Sequence, residues 1–281
     1  MTTTTTTVAL GDLSFTVDVV GPPHGPPVLM LHGFPQTRRA WRGQIAALSG
    51  AGYRCVAPDQ RGYSTGARPA GTAAYAVPNL IGDALGIMDA LGHDRFHLVG
   101  HDWGGQLAWL IAAQHPQRVL SLAVLSRPHP AAFARAFETD AQQSKRSGHH
   151  KTFQDEGAGT ALRADDFAGL RRMFDAQGVP AATAQAYIDT LFEPGAIEAA
   201  VAWYRAGGSS SLRARDVPPV ATRTLYVWGD ADATVGRVAA EATADFVTGP
   251  YRFEAIPGAA HFLTDQVPDA VNGLLLPHLE A

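Results

Sequence analysis

The chain is poor in charge and almost without cysteine. Asp, Glu, Lys and Arg make up 17% of its 281 residues, below the ~25% usual for soluble proteins. The formal net charge of −4 offers no pull toward polyanions. No basic run and no interleaving of aromatic with basic residues occurs, so nucleic acid is not an expected partner. No zinc-type spacing of Cys and His appears. The one cysteine, Cys55, excludes an internal disulfide, and its setting in Tyr53-Arg54-Cys55-Val56-Ala57 reads as a small core residue. No apolar run approaches the ~18 residues of a membrane span, so no membrane partner is expected either. Met1 and the threonines Thr2 to Thr7 lack the basic and apolar regions of a secretory signal. They read as a frayed terminus, and the expected location is cytoplasmic.

What is present is apolar. Hydrophobic residues reach 46%, enough for one large α/β domain or a domain carrying an inserted lid. Val28 to Leu31, Arg54 to Ala57, Phe96 to Val99 and Val119 to Leu125 are short apolar runs ended by turn residues. Such runs suit strands of a parallel sheet covered on both faces. Helix candidates lie between or after them, at Trp41 to Leu48, Leu80 to Leu91 and Gln106 to Gln114. Strand–helix alternation of this kind predicts a doubly wound, mostly parallel sheet. From about residue 127 to 219 the strand pattern stops and helical spacing takes over, as in Ile197, Val201 and Tyr204. Gly207 to Ser211 and Pro218-Pro219 read as loop signals that close this stretch. Alternation then resumes, with strands at Thr224 to Trp228 and Tyr251 to Ile256 and helices at Arg237 to Phe246 and Asp269 to Leu279. The expected organisation is a core of residues 1–126 and 220–281, with a helical cap at 127–219.

The chemistry centres on Val99-Gly100-His101-Asp102-Trp103-Gly104-Gly105. Glycines two residues before and after Asp102 permit a sharp turn from strand to helix, the nucleophile elbow. Such a turn lifts one side chain above the sheet and leaves backbone N–H groups at a helix start nearby. The residue in that slot is a carboxylate. Ionised near neutral pH, it attacks saturated carbon and displaces a strained epoxide oxygen or a halide, giving an alkyl ester. The plainer reading is an Asp that only caps the following helix. His261 follows the last strand in Gly258-Ala259-Ala260-His261-Phe262, and Asp232 follows the preceding strand in Trp228-Gly229-Asp230-Ala231-Asp232. The order nucleophile, acid, histidine suits a water-activating pair behind the nucleophile. Asp230 competes for the acid role; as it directly follows the turn glycine, a bracing role suits it better. The alternative acid position, before the lid, holds Ser126 and then Arg127, neither of which can serve. His32-Gly33-Phe34-Pro35 follows the first parallel strand, and the Phe34 N–H is the expected partner of the Trp103 N–H in an oxyanion hole.

Together, His32-Gly33-Phe34-Pro35, Asp59-Gln60-Arg61-Gly62-Tyr63-Ser64 and Gly100-His101-Asp102-Trp103-Gly104-Gly105 resemble the epoxide hydrolase branch of the α/β-hydrolase superfamily. The resemblance runs from about Val28 to the C-terminal helix and is weakest in the lid. It implies an α/β-hydrolase fold with a helical cap, a cis peptide at Phe34-Pro35, and hydrolysis of an epoxide to a vicinal diol without a cofactor. It also implies two cap tyrosines that hydrogen-bond the epoxide oxygen. Ala202-Trp203-Tyr204-Arg205 matches one such motif except at its first position, so Tyr204 is the implied donor. Four residues before Phe153-Gln154, where the second tyrosine usually lies, stands His149, with His150 beside it; some relatives use a His/Tyr pair. The plain alternative is that Gly148-His149-His150-Lys151 forms an exposed cap loop.

The implied partners are a small apolar epoxide and water. Phe34, Trp103 and Phe262 are the expected pocket residues; Phe133, Phe153 and Phe192 are further apolar candidates, with core packing the alternative for each. Two other functions stay open. A haloalkane or haloacid dehalogenase uses the same Asp nucleophile but needs N–H donors for halide, for which Trp103 is one candidate. A non-hydrolytic protein that binds a ligand or guides a cyclisation is the other, although it has no need of a complete Asp102, Asp232 and His261 set.

Overall fold

The apolar runs are central strands. The computed structural model describes residues 4–212 and 216–280. Among these, eight strands form one sheet: β1 (Thr4–Leu10), β2 (Leu13–Val20), β3 (Pro27–Leu31), β4 (Arg54–Pro58), β5 (Phe96–His101), β6 (Val119–Leu125), β7 (Thr224–Gly229) and β8 (Tyr251–Ile256). Their order is β1-β2-β4-β3-β5-β6-β7-β8. β2 pairs antiparallel with β1 and β4, and every other pairing is parallel. This is the doubly wound, mostly parallel sheet expected from the strand–helix alternation.

Alternation along each strand divides two cores. Val28, Met30, Cys55, Val99, Leu225 and Val227 face one layer, where they meet Ile45 and Leu48 of α1 (Arg42–Gly50) and Val271, Leu275 and Leu279 near the C-terminus. Leu29, Leu31, Val56, Leu98 and Leu122 face the other layer, with α2 (Val77–Ala90) and α3 (Trp103–Gln114). Each fully buried Leu, Ile or Val contributes roughly 1.5–3 kcal/mol of apolar transfer. Cys55 lies within the first layer, and burial pushes its thiol up to about 12, which leaves it unreactive.

Between β6 and β7 the chain leaves the sheet. It forms α4 (Pro130–Thr139), α5 (Ala141–Arg146), α6 (His149–Thr152), α7 (Ala158–Ala176), α8 (Ala181–Phe192) and α9 (Ala196–Leu212). Helix α7 is two helical pieces joined at 164–167, where Asp165, Asp166 and Phe167 have positive φ. The insertion packs on the sheet domain through Trp203, whose indole N–H donates to the Arg61 carbonyl at 2.9 Å, and through the Arg68–Glu193 ion pair at 2.8 Å. After β7 come α10 (Arg237–Glu241) with a following 3-10 turn, then α11 (Leu263–Gln266) and α12 (Pro268–Glu280).

Two sequence expectations are corrected here. The threonine run is not frayed at Thr4 to Thr7: these residues are the outer half of β1, paired with Asp18 and its neighbours in β2. Threonine is β-branched and suits an extended edge, while Val8, next along, reaches the core. Met1 to Thr3 lie outside the described residues. Gly207 to Ser211 do not form a loop either, because α9 runs on to Leu212. The buried stripe Ile197, Val201 and Tyr204 anchors that helix, and tertiary packing outweighs the ~1 kcal/mol helix cost of each glycine.

Close approach of α3 to β3 sets the elbow. A Cβ on Gly104 would lie 1.9 Å from the Leu31 carbonyl oxygen and 2.4 Å from its carbon, both rigid backbone. Gly104→Ala should therefore destabilise the protein by about 3 kcal/mol. Gly82 is exposed within α2, and a Cβ added there would meet nothing within 4 Å. Gly82→Ala should thus stabilise by about 0.5–1 kcal/mol. Urea midpoints of the two variants should move in opposite directions; a common direction would contradict this account of the elbow.

Candidate active site

Phe34, Asp102, Asp232 and His261 sit where parallel strands end, the usual ligand-binding edge of such sheets. Asp102 follows β5 with φ 51° and ψ −118°, a positive-φ conformation that costs a non-glycine residue about 1–3 kcal/mol. The turn lifts its carboxylate over Gly33, where a Cβ would come within 2.3 Å of the Asp102 Cβ and 2.4 Å of Oδ1. Glycine at 33 is thus a space requirement of the carboxylate. The Phe34 N–H donates to Asp102 Oδ1 at 2.9 Å, and the Trp103 amide also bonds the carboxylate. The Phe34-Pro35 peptide is cis, as expected. Behind the turn, the buried His32 ring lies 3.0 Å from the Gly33 carbonyl at Nδ1 and accepts the Gln60 N–H at Nε2, 3.2 Å.

The second oxygen of Asp102 is directed at His261, with Oδ2 3.4 Å from Nε2. The other ring nitrogen, Nδ1, lies 2.8 Å from Asp232 Oδ2. Asp230 is elsewhere: it is exposed and accepts the Gly258 N–H at 2.7 Å. The structure therefore brings together Asp102, His261 and Asp232, and gives Asp230 the bracing contact.

Charge follows from these contacts. Burial pushes the Asp102 carboxyl up, but the hydrogen bond and charge of His261 outweigh it and hold the group well below the usual carboxylate range. Burial alone would lower His261, yet the charge of Asp232 and the hydrogen bond of Asp102 raise it to about 10. In the resting site the imidazole is thus protonated between two carboxylates.

Residues that sequence reasoning gave no part in the site complete the arrangement. Thr234 donates its N–H and its hydroxyl to Asp232 Oδ1, each at 2.7 Å, and Val235 adds a third N–H at 3.0 Å. One carboxylate oxygen is saturated by its own loop and the other is left to the imidazole. Ser126 Oγ donates to the His261 carbonyl at 2.7 Å, and His101 Nε2 lies 2.8 Å from the same oxygen. Ser126 cannot act as the acid, but it orients the histidine's backbone. The only local signal for Thr234 is its place two residues after an Asp in a turn, where Asx-type bonding is common.

The insertion brings Tyr204 over the site. Its ring centroid lies 5.2 Å from Trp103, 5.5 Å from Phe34 and 5.1 Å from Phe153, all near edge-on. Burial, then the Asp102 charge, pushes the phenol well above its usual range, so it is a neutral donor. The segment of His149 and His150 is a short helix, α6, and not an exposed loop. His150 is buried with its ring 5.1 Å from Tyr204, and half-buried His149 lies 6.3 Å from it. Burial lowers both imidazoles, most strongly His150, and both feel the Asp102 charge. Phe262 is enclosed by Phe174, His261 and His101. Phe133 packs under the Arg127 guanidinium as a core residue, and half-buried Phe192 packs on the edge of the core against Phe167.

Comparison with known proteins agrees with this geometry. The family model described as alpha/beta hydrolase fold matches residues 26–266. Epoxide hydrolase 4 of Mus musculus is 33% identical over 265 residues, 91% of this chain and 73% of its own length. Epoxide hydrolase A of Mycobacterium tuberculosis is 31% identical, with 92% of each chain covered. Among solved structures, epoxide hydrolase A from Mycobacterium thermoresistibile superposes with a TM-score of 0.88 at 27% identity, covering 100% of this chain and 99% of that one. The Bacillus megaterium epoxide hydrolase bound to an inhibitor gives 0.90 at 26% identity, covering 98% and 100%. By the family model over most of its length and by relatives of 33% and 31% identity, this chain belongs to the α/β-hydrolase superfamily, in the epoxide hydrolase branch.

Proposed function

We propose that the protein opens a small apolar epoxide to a vicinal diol through a covalent ester on Asp102. The observation that carries this reading is the division of labour at the Asp102 carboxylate. Oδ1 accepts the Phe34 amide, the Trp103 amide also bonds the carboxylate, and Oδ2 faces His261. Oδ2 attacks an epoxide carbon, and the opening oxygen takes a hydrogen bond and then a proton from the lid. Oδ1 becomes the ester carbonyl, with the Phe34 and Trp103 amides as its oxyanion hole. The His261 imidazolium first returns a proton to the lid donor by way of solvent; now neutral and oriented by Asp232, it takes a proton from water, which attacks Cγ. The tetrahedral intermediate expels the diol oxygen, which takes the proton of the new Asp102 carboxyl, so that carboxylate, imidazolium and lid donor are all restored.

Tyr204 is the oxygen-side donor in this scheme, with an imidazole of the His149/His150 pair as the second. Because both imidazoles are neutral at pH 7, they serve as hydrogen-bond donors and not as imidazolium acids. The halide alternative needs a second donor beside Trp103, and the lid indole nearest to hand is Trp203. Its indole N–H is engaged by the Arg61 carbonyl and is not free to solvate a leaving halide. A purely binding role leaves the buried relay from Asp232 to His261 without purpose.

His261→Gln should accumulate the ester, seen by mass spectrometry as substrate mass on the peptide containing Asp102, and Asp102→Ala should abolish it. No adduct in His261→Gln with any of a panel of aryl and alkyl epoxides would count against the scheme. Tyr204→Phe should slow ester formation by about 10²-fold. Replacing His149 and His150 by Phe one at a time should slow it for one of the two; equal rates in both would leave Tyr204 as the sole donor.

The pH dependence has a definite sign. His261 is raised to about 10 by the charge of Asp232 first and then by the hydrogen bond and charge of Asp102. Esterification removes that charge and the attached hydrogen bond, so the imidazole falls and becomes a base at neutral pH. Ester decay in single-turnover experiments should rise with pH across about pH 6 to 9, with an apparent pKa below that of the resting enzyme. Decay independent of pH over that window would show that His261 is not the base.

A further inference from the structure

The lid is fastened to the loop of the catalytic acid by one short segment, 143–147. Gln143 of α5 is fully buried. Its Nε2 donates to the Thr234 carbonyl at 2.8 Å and to Ser147 Oγ at 2.9 Å, and its Oε1 accepts the Gly236 N–H at 2.8 Å. Arg146 adds a bond from its guanidinium to the Asp232 carbonyl at 2.8 Å. The amide of Gln143 thus spans both sides of Val235, one hydrogen bond on each.

Elsewhere that loop is held by the Trp228 indole N–H, which donates to the Val235 carbonyl at 3.2 Å, and by the Thr234 hydroxyl, 2.8 Å from His261 Nδ1. The Ala231 amide is tied to the Ala259 carbonyl in the turn after β8, and the Asp232 amide to the Gly229 carbonyl at the end of β7. Past Asp232, the bonds within the loop all converge on the Asp232 carboxylate, from Thr234 N, Thr234 Oγ1 and Val235 N. The loop's shape therefore sets where Asp232 Oδ2 points, and with it the His261 ring. Without Gln143, the Gly236 N–H loses its side-chain partner and the Thr234 carbonyl keeps only the longer 3.4 Å bond from Ser147 Oγ; a buried polar group left unpaired costs about 1–3 kcal/mol. The loop has reason to rearrange.

We propose that Gln143 is a positioning residue for the hydrolytic half-reaction: from the lid side it fixes the 232–236 loop and so holds Asp232, Thr234 and His261 in register for water activation. The proposal rests on the ester mechanism given above. It separates the two chemical steps. Ester formation uses the Asp102 carboxylate and the lid donors, neither of which Gln143 touches. Ester hydrolysis needs His261 as a base in a set orientation. The same segment continues through Ser147 and Gly148 into His149 and His150, so one stretch of lid is tied to the acid loop at one end and reaches Tyr204 at the other.

For two steps in series, kcat/KM reports ester formation, whereas kcat falls when hydrolysis slows. A loosened lid that harmed the whole site would lower kcat/KM. A misplaced relay lowers kcat and KM together and leaves their ratio unchanged.

The test uses the full chain and its Gln143→Leu variant, with styrene oxide as the probe, in rapid-quench single turnovers read by mass spectrometry. Gln143→Leu should form the ester within about threefold of the unaltered rate and hydrolyse it about tenfold or more slowly, since small misplacements of a catalytic group carry penalties of this order. Ser147→Ala removes the acceptor that orients the Gln143 amide and should slow hydrolysis by about threefold; it carries the test if the Leu variant does not fold. Equal slowing of both steps, or unchanged hydrolysis, in a protein with unaltered melting temperature overturns the assignment while leaving the ester mechanism standing. Absence of any adduct on Asp102 in the unaltered and His261→Gln proteins alike overturns the mechanism and the assignment with it.

Discussion

A carboxylate that is buried and still charged is the constraint around which this molecule is arranged. Water stabilises an exposed Asp; here two backbone amides and a protonated histidine take its place at Asp102. Each of those partners makes its own demand. The amides require a sharp turn after β3 and a helix that starts at Trp103. The turn requires Gly33, because the carboxylate occupies the space of a side chain there. The helix requires Gly104, because α3 presses on the end of β3. The histidine requires a second carboxylate, Asp232, buried in turn and satisfied by Thr234 and Val235.

In the proposed mechanism this arrangement also lets one site perform two reactions. With Asp102 charged, His261 is a cation that helps hold the nucleophile in place. Once Asp102 is an ester, the same imidazole loses an anionic neighbour and becomes a base. The switch needs no movement of the chain, only a change in the charge of one group. The lid adds neutral donors above the carboxylate and, through Gln143 and Arg146, grips the loop of the acid below.

Much of the fold was legible because its signals are local. Continuous apolar runs such as Val119 to Leu125 mark buried parallel strands wherever they occur. The glycine spacing around Asp102 is a backbone requirement written into seven adjacent residues. The edge strand at Thr4 to Thr7 was not legible in the same way, since a polar threonine run gains order only from pairing with β2. Nor was the length of α9, where packing of Ile197, Val201 and Tyr204 carries the helix past glycines that read as a stop.

The sequence by itself determined the elbow, the carboxylate in it, and the order of nucleophile, acid and histidine, because each lies in a short motif next to a strand end. Only the tertiary structure decided that Asp232 and not Asp230 meets His261, that Ser126 and His101 hold the histidine's carbonyl, and that both His149 and His150 turn toward Tyr204. It alone revealed Gln143. The reason is physical: these are hydrogen bonds and ring contacts between side chains and backbone tens of residues apart. No periodicity or spacing records such pairings until the sheet has brought the strand ends together.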